Sequence, residues 1–339
     1  MKKFLVVKLS AIGDVIHALP VSYAIKETYP DSHLAWVVEP PARPLLEGNP
    51  YIDEIITFNK KEFKSIRGFM KNYGPFRDML RQHDFDASLD LQGLFKSAAI
   101  VHAAGAKKRY GTCNMREMSD HISHPVRGPH RNGHIVDRYL DVARALGCRV
   151  EHVKFPVVVS DTDMSHASAR LRKEGVPESQ AYAAIAVGAN WPNKRWPVEY
   201  WAVLCDWLYD EHIIPVLTGG GPVDEDIAFR MSRMMEIPAI SLVGKTNLKE
   251  LAYIMQHARF VIGGDTGPVH LAAGLGTKTI MLMGPTDANR NGPYGQQQNA
   301  IEVERACRYC WKRACPSGFD CLAAINVETV KRKIREVLR

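Results

Sequence analysis

Short apolar runs alternate along this chain with longer stretches of helical period, and that rhythm predicts most of its elements. In the first half, strands are expected over residues 4–8, 33–38, 54–58 and 87–91, with helices over 14–28, 65–83 and 95–104. The 65–83 helix should break around Tyr73-Gly74-Pro75. Ile135, Tyr139, Val142, Ala143 and Leu146 then give one apolar face of a further helix. The second half repeats the pattern, with strands over 181–187, 214–218, 239–242, 260–263 and 279–283. Helices are expected between them over 197–212, 223–235, 248–256 and 268–275. Strands alternating with helices argue parallel sheets with right-handed crossovers. The expected fold is therefore α/β, two doubly wound Rossmann-like domains. Pro156, Ser160-Asp161 and Pro177 accompany a charged helix and mark the boundary. The predicted division is a first domain over 1–160, a second over 180–325, and a C-terminal helix over 326–339. In such folds ligands sit beyond the carboxyl ends of the strands, so a central cleft between two such domains is the expected reaction site.

The stretch Gly263-Gly264-Asp265-Thr266-Gly267-Pro268-Val269-His270 follows the apolar run Phe260-Val261-Ile262. It reads as a buried strand, a sharp turn and a helix start, with Thr266 as N-cap and Pro268 in the first turn. Such a start offers unpaired N–H groups and the positive end of a helix dipole, which suits phosphate. Asp265 and His270 add polar groups at the rim of that turn.

Other loops carry chemistry as well. The segment from Lys8 to Pro20 lacks both G-x-G-x-x-G and GK[ST], so it supports neither a dinucleotide fold nor a P-loop. It offers one carboxylate, Asp14, either as a helix cap or as a general base. Lys194 and Arg195 precede the helix that Pro197 begins, where a cation is tolerated best if an anion shares the site. The Gly219-Gly220-Gly221-Pro222 turn leads to Asp224, which suits ribose or sugar hydroxyls as well as an ordinary helix start.

At 339 residues the chain has room for two domains, and no apolar run approaches a membrane span. Its N-terminus is not that of a signal peptide, so a cytoplasmic protein is expected. The formal charge of +7 suits a nucleotide, an anionic membrane surface or a nucleic acid. No motif supports nucleic acid. Basic residues cluster twice in the first half, around Lys64 and Arg67 and around Lys107-Lys108-Arg109. Cys113, Cys148 and Cys205 are scattered and read as packed, reduced thiols. Cys307, Cys310, Cys315 and Cys321 form C-x2-C-x4-C-x5-C, open to a structural zinc, to free thiols or to disulfides.

Four segments in order resemble glycosyltransferase family nine, the lipopolysaccharide heptosyltransferases, and heptosyltransferase I above all. They are Lys8–Pro20, with S-x-x-G-D-V-x-H-x-L-P; Asp90-Leu91-Gln92-Gly93-Leu94-Phe95-Lys96-Ser97; Lys194-Arg195-Trp196-Pro197; and Asp265 to His270. The resemblance implies a GT-B fold and inverting transfer of L-glycero-D-manno-heptose from ADP-heptose to the Kdo of Kdo-lipid A, with no required metal cofactor. It implies Asp14 as catalytic base and Asn190, Lys194, Asp224, Asp265, Thr266, Gly267 and His270 on the donor. Asp265 would take heptose hydroxyls and Lys194 the diphosphate-sugar. Lys64, Arg67, Gln92 and Lys96 would meet the acceptor, close to an anionic membrane at the cytoplasmic face of the inner membrane. Ala189 and Asn190 replace hydroxyl residues found in some members, and Asp224 replaces a frequent Glu. A heptosyltransferase II-like enzyme, or a family-nine transferase with another sugar or acceptor, is the near alternative. A nucleotide-sugar epimerase is the distant one.

Overall fold

The buried run Phe4-Leu5-Val6-Val7 lies at the centre of a parallel sheet, where a strand covered on both faces needs unbroken apolar sequence. The computed structural model describes residues 1–339 and divides them into two units, Met1–Val158 and Val159–Arg339.

The first unit contains β1 (Lys3–Val7), α1 (Ile12–Ala18), α2 (Pro20–Thr28), β2 (His33–Val38), β3 (Glu54–Thr57) and α3 (Ile66–Gln82). It continues with β4 (Ala87–Asp90), α4 (Phe95–Ala104), β5 (Lys108–Gly111), β6 (His124–Pro125) and α5 (Ile135–Ala145). Its six strands run in the order β3-β2-β1-β4-β5-β6, so the order reverses between β1 and β4. Leu5, Val7, Ala35, Val37 and Ile56 pack against Leu80 of α3 and Ile100 and Val101 of α4.

The second unit begins with α6 (Asp161–Lys173), β7 (Tyr182–Ala186), α7 (Val198–Asp210), β8 (Ile214–Thr218), α8 (Pro222–Ser232), β9 (Ile240–Ser241) and α9 (Leu248–His257). β10 (Phe260–Gly264), α10 (Gly267–Gly274), β11 (Thr279–Met283), α11 (Ala288–Asn291), β12 (Ala300–Glu302) and α12 (Val327–Leu338) complete it. The strand order is β12-β11-β10-β7-β8-β9, with its reversal between β7 and β10. One face is packed by Trp196, Trp201 and Leu204, the other by Leu251, Ile254 and Met255.

The elements depart from expectation in several places, among them the unexpected short helix α11 and edge strand β12. The 14–28 helix is two helices, because Leu19 ends α1 and Pro20 opens α2 at a position where its missing N–H costs nothing. The 65–83 helix is unbroken and contains Pro75. An interior proline costs about 3 kcal/mol, but Tyr73, Phe76, Met79 and Leu80 pack on the core, and each such side chain returns roughly 1.5–3 kcal/mol when fully buried. The stretch after α4 holds two further strands, β5 and β6, so Lys108 and Arg109 are strand residues. Lys107 beside them is paired with Asp86 at 3.1 Å and Asp84 at 3.4 Å. Finally, the charged helix α6 packs on α9 and α12 on α7, so both belong to the second unit rather than to a linker and a tail. No helix is long and apolar enough to cross a membrane.

Candidate active site

The loops leaving the carboxyl ends of β1 and β4 meet where the first sheet reverses its strand order. Asp14 stands in the first turn of α1 and is half-buried. Through Oδ2 it accepts the Ala11 N–H at 3.3 Å, so the carboxylate orders its own helix start. Behind it Lys8 is buried, its Nζ donating to the Leu91 carbonyl at 3.1 Å and to the Tyr139 hydroxyl at 2.8 Å. Burial works against this ammonium, but Tyr139 and the carboxylates of Asp14 and Asp90 outweigh it and raise its pKa above the ordinary lysine value.

Asp90 ends β4 fully buried and accepts the N–H groups of Gln92 and Gly93 and the hydroxyl of Ser97. Burial nevertheless raises its pKa. Gln92 turns inward, its Oε1 accepting the N–H groups of Leu9 and Ser10 at 3.1 and 3.2 Å. That carbonyl braces the loop before Asp14. Lys96 donates to the buried Glu39 at 2.8 Å, and Lys60 reaches the other oxygen of the same carboxylate at 3.1 Å. Lys64 and Arg67 are exposed at the start of α3. Glu39 and Lys8 had no motif to announce them.

In the second unit four loops share the carboxyl edge of the sheet. Asp265, at the end of β10, is the hub. Its Oδ2 accepts Nζ of Lys194 at 2.6 Å and the Thr286 hydroxyl at 2.6 Å, while Oδ1 meets Nε2 of His270 at 2.8 Å. Asp265, His270 and Thr286 are all buried, so the expected rim position of the first two is wrong. Burial alone would raise the Asp265 pKa. The hydrogen bond and charge of His270, followed by Lys194, overcome that and hold the carboxyl far below its usual range. Because three donors already fill this carboxylate, its first role is to position them.

Lys194 ends a 3₁₀ turn, Pro192–Lys194, and also lies over the Trp191 ring at 4.4 Å. Gly264 makes this approach feasible, since a Cβ there would strike the Lys194 carbonyl. Asn193 is buried and donates to the Lys312 carbonyl at 2.5 Å, pinning the turn from behind. Asn190 is exposed. Arg195 donates through Nε to the Ala189 carbonyl at 2.8 Å.

Asp224 lies in the first turn of α8 and accepts the Gly220 N–H at 2.8 Å. It fits over the ends of β7 and β8 only because Gly188 and Gly219 carry no side chain there. Burial raises its pKa, with the Gly220 N–H and Arg195 acting against that.

Thr266 occupies the N-cap position of α10 with extended backbone, yet its side chain makes no capping bond. Its Oγ1 is inaccessible to solvent and has no hydrogen-bond partner. The expectation of a capping hydroxyl fails, and what remains is a polar atom at a helix start with its hydrogen-bonding capacity unspent. Gly267 and Pro268 follow as the first helical residues. Thr286 comes from the loop after β11, where Gly284-Pro285 after an apolar strand was the signal available.

Among the cysteines, Cys148 and Cys205 are buried, and burial pushes the Cys148 thiol up to about 12. Cys307 and Cys310 are exposed, Cys315 and Cys321 half-buried. Burial and then the three neighbouring thiols raise the Cys321 pKa.

The comparisons with known proteins agree with this geometry. Residues 74–319 match the model of glycosyltransferase family 9 (heptosyltransferase). Lipopolysaccharide heptosyltransferase 1 of Escherichia coli K12 is 28% identical over 312 residues, covering 89% of this chain and 94% of that protein. An E. coli heptosyltransferase, WaaC, solved with ADP-2-deoxy-2-fluoro heptose, superposes with a TM-score of 0.74 at 26% identity, over 98% of this chain and 99% of that one. A family 9 glycosyl transferase from Veillonella parvula shares the fold at a TM-score of 0.86, with 23% identity over 99% and 97% of the two chains. The fold is thus that of the GT-B heptosyltransferases. With a family match across most of its length, the chain belongs to glycosyltransferase family 9, the heptosyltransferases, and is a glycosyltransferase.

Proposed function

We propose that this enzyme transfers L-glycero-D-manno-heptose from ADP-heptose to Kdo of Kdo-lipid A, with inversion at the anomeric carbon. The observation that carries the donor half is Lys194, held by Asp265 at the carboxyl edge of the second sheet, where the loop after β10 leads into the start of α10. A diphosphate supplies the acceptors that the first-turn N–H groups of α10 lack. The homologous heptosyltransferase solved with an ADP-heptose analogue supports the same donor here.

In the reaction a Kdo hydroxyl attacks C1 of the heptose. The bond from C1 to the diphosphate oxygen breaks, and ADP leaves from the opposite face. Asp14 takes the hydroxyl proton as the new bond forms, which a braced carboxylate can do once the hydroxyl is in hydrogen-bond reach. The transition state is oxocarbenium-like, and charge grows on the departing diphosphate. Fixed donors aimed at that charge, Lys194 and the start of α10, lower the barrier. Asp224 is read as a ribose or sugar contact and Asn190 as an exposed contributor to the donor site. Lys64, Arg67, Gln92 and Lys96 are read as acceptor contacts, Gln92 through the amide nitrogen that its bracing bonds leave out. Transfer by this route needs no metal. A structural zinc on Cys307, Cys310, Cys315 and Cys321 is a separate reading that metal analysis of the purified protein decides. The matching location is the cytoplasmic face of the inner membrane.

The test is ADP release from ADP-heptose, with and without Kdo-lipid A. Release that depends on Kdo-lipid A supports the reading. Turnover only on an already heptosylated acceptor would make the enzyme heptosyltransferase II-like, and donor consumption with free sugar and no acceptor would point to an epimerase-like activity. Asp14→Asn should cut turnover by about 10²–10⁴-fold and leave ADP affinity near wild type. Wild-type turnover in that variant would remove Asp14 from its role.

A further inference from the structure

Helix α3 carries a single apolar stripe at Ile66, Phe69, Met70, Tyr73, Phe76 and Leu80, the spacing that puts side chains on one helical face. Only its second half is covered. Tyr73, Phe76, Met79 and Leu80 pack on the core of the first unit. The first half overhangs: Ile66 is 84% exposed, Met70 78% and Phe69 47%, with Phe69 stacked on Tyr73 at 4.9 Å. Contiguous exposed apolar side chains of this size mark an interaction surface rather than ordinary surface variation.

The charges around the overhang select the partner. Lys61 and Lys64 lie in the 3₁₀ turn Lys60–Phe63 and at its end, and Arg67 and Lys71 lie four residues apart on α3 beside the stripe. All four are exposed. Lys60 is the member of this run that is engaged, by Glu39, and Glu62 is the one acidic residue from 60 to 71. Hydrogen bonds and a close backbone approach tie the turn to the helix. Ser65 Oγ accepts the Gly68 N–H at 3.0 Å, Asn72 donates to the Glu62 carbonyl at 3.0 Å, and a Cβ on Gly68 would collide with that carbonyl. The overhang is therefore a preformed amphipathic edge, apolar along one stripe and basic beside it.

We propose that this edge docks on an anionic lipid bilayer. Ile66, Phe69 and Met70 enter the boundary between headgroups and acyl chains, and Lys61, Lys64, Arg67 and Lys71 pair with lipid charges. A buried apolar stripe and a polybasic flank reinforce each other at such an interface, and the charge component weakens with salt. The inference rests on the lipid-borne acceptor read above only for its purpose, since docking on a plain bilayer needs no acceptor. It also gives the exposed lysines a second use that acceptor contacts alone leave unexplained: their place beside uncovered apolar side chains.

Co-sedimentation of the full chain with vesicles tests it, using phosphatidylcholine with phosphatidylglycerol against phosphatidylcholine alone. Wild-type protein should pellet with the anionic vesicles at least about tenfold more strongly than with neutral ones, and lose that binding in high salt. The double variant Ile66→Glu/Met70→Glu should lose about tenfold or more in vesicle affinity while keeping its melting temperature, because neither side chain packs on the core. Its turnover on a detergent-dispersed acceptor should stay at the wild-type level, which separates failure of docking from failure of the acceptor assignment. Equal binding to both vesicle types, or a double variant that binds like wild type, would overturn the proposal. So would a shift from dimer to monomer in the variant by sedimentation velocity, since the edge would then cover a second copy of the chain.

Discussion

Nζ of Lys194 lies 2.6 Å from Oδ2 of Asp265, a largely buried contact that joins the loop after β7 to the loop after β10 across 71 residues of chain. Parallel neighbours β7 and β10 deliver the two loops to the same edge, and the missing side chain of Gly264 lets them close up. Removing one partner of such a pair strands the other charge and typically costs about 3–5 kcal/mol. Here His270 and Thr286 remain on the carboxylate, so Lys194→Met should sit at or below the low end of that range. A double-mutant cycle of Lys194→Met and Asp265→Asn, followed by urea unfolding, should return a coupling of about 1–3 kcal/mol. Additive single effects would mean the contact contributes no coupling at all.

The same carboxyl makes stability depend on pH in a definite direction. Asp265 has an ordinary value of 3.8 and a folded value far below it, burial being outweighed by His270 and Lys194. Between those two values the unfolded chain binds more protons, so stability rises with pH. The contribution is complete above the unfolded value and is lost as pH falls through the folded one. Asp90 and Asp224 act oppositely, because burial raises them and their ionisation weakens the fold as pH climbs above 3.8. Subtracting the urea midpoints of Asp265→Asn from those of wild type at each pH isolates the Asp265 part. That difference should be flat near neutrality and shrink on acidification below about pH 4. A difference that grew on acidification would contradict the assigned shift.

Lys8 tests whether the ground beneath Asp14 is structural. Its ammonium is buried, bonded to Leu91 and Tyr139, and stands among Asp14 and Asp90. Lys8→Met takes a donor from the Leu91 carbonyl and a cation from Asp90, each loss worth about 1–3 kcal/mol when the group left behind is buried. The expected result is a lower urea midpoint with ADP affinity unchanged, since the loops proposed above for the donor belong to the second unit. A midpoint equal to wild type would show that the buried charge does no more than fill space.

What the chain discloses in advance follows from how local each signal is. Strand, glycine turn and helix start at Phe260 to Gly267 are contiguous, so the loop that holds Asp265 can be read directly. The three donors on Asp265 are not contiguous with one another. Thr286 reaches it from a different loop, and only the pairing of β10 with β11 brings the two together. Gln92 illustrates a different difficulty. A glutamine after a strand suits a ligand as well as a brace, and only the positions of the Leu9 and Ser10 N–H groups show that its Oε1 serves as a brace. Pro75 is the opposite case, a strong local breaker overridden by Tyr73, Phe76 and Leu80 packing on the core. Local chemistry therefore announced the loops, whereas hydrogen-bond partners and tertiary compensation came only with the fold.

Thr266 separates a binding role from a structural one more sharply than any other residue of the site. A hydroxyl that capped α10 would contribute about 1 kcal/mol to the fold, and its loss would be felt as instability. This hydroxyl makes no capping bond and no other hydrogen bond, although solvent does not reach it. Thr266→Val replaces it with a methyl of nearly the same volume and removes a polar atom that the fold leaves unsatisfied. Stability should therefore stay within about 0.5 kcal/mol of wild type or rise slightly. If donor binding shifts the start of α10 so that this hydroxyl meets a diphosphate oxygen, the variant loses one hydrogen bond to a charged group, worth about 1.5–3 kcal/mol, and ADP should bind roughly 10- to 150-fold more weakly. Calorimetric titration with ADP beside a thermal melt reads both quantities on one preparation. Unchanged ADP affinity with unchanged stability would take Thr266 out of the donor site, and a clear drop in melting temperature would restore it to the helix.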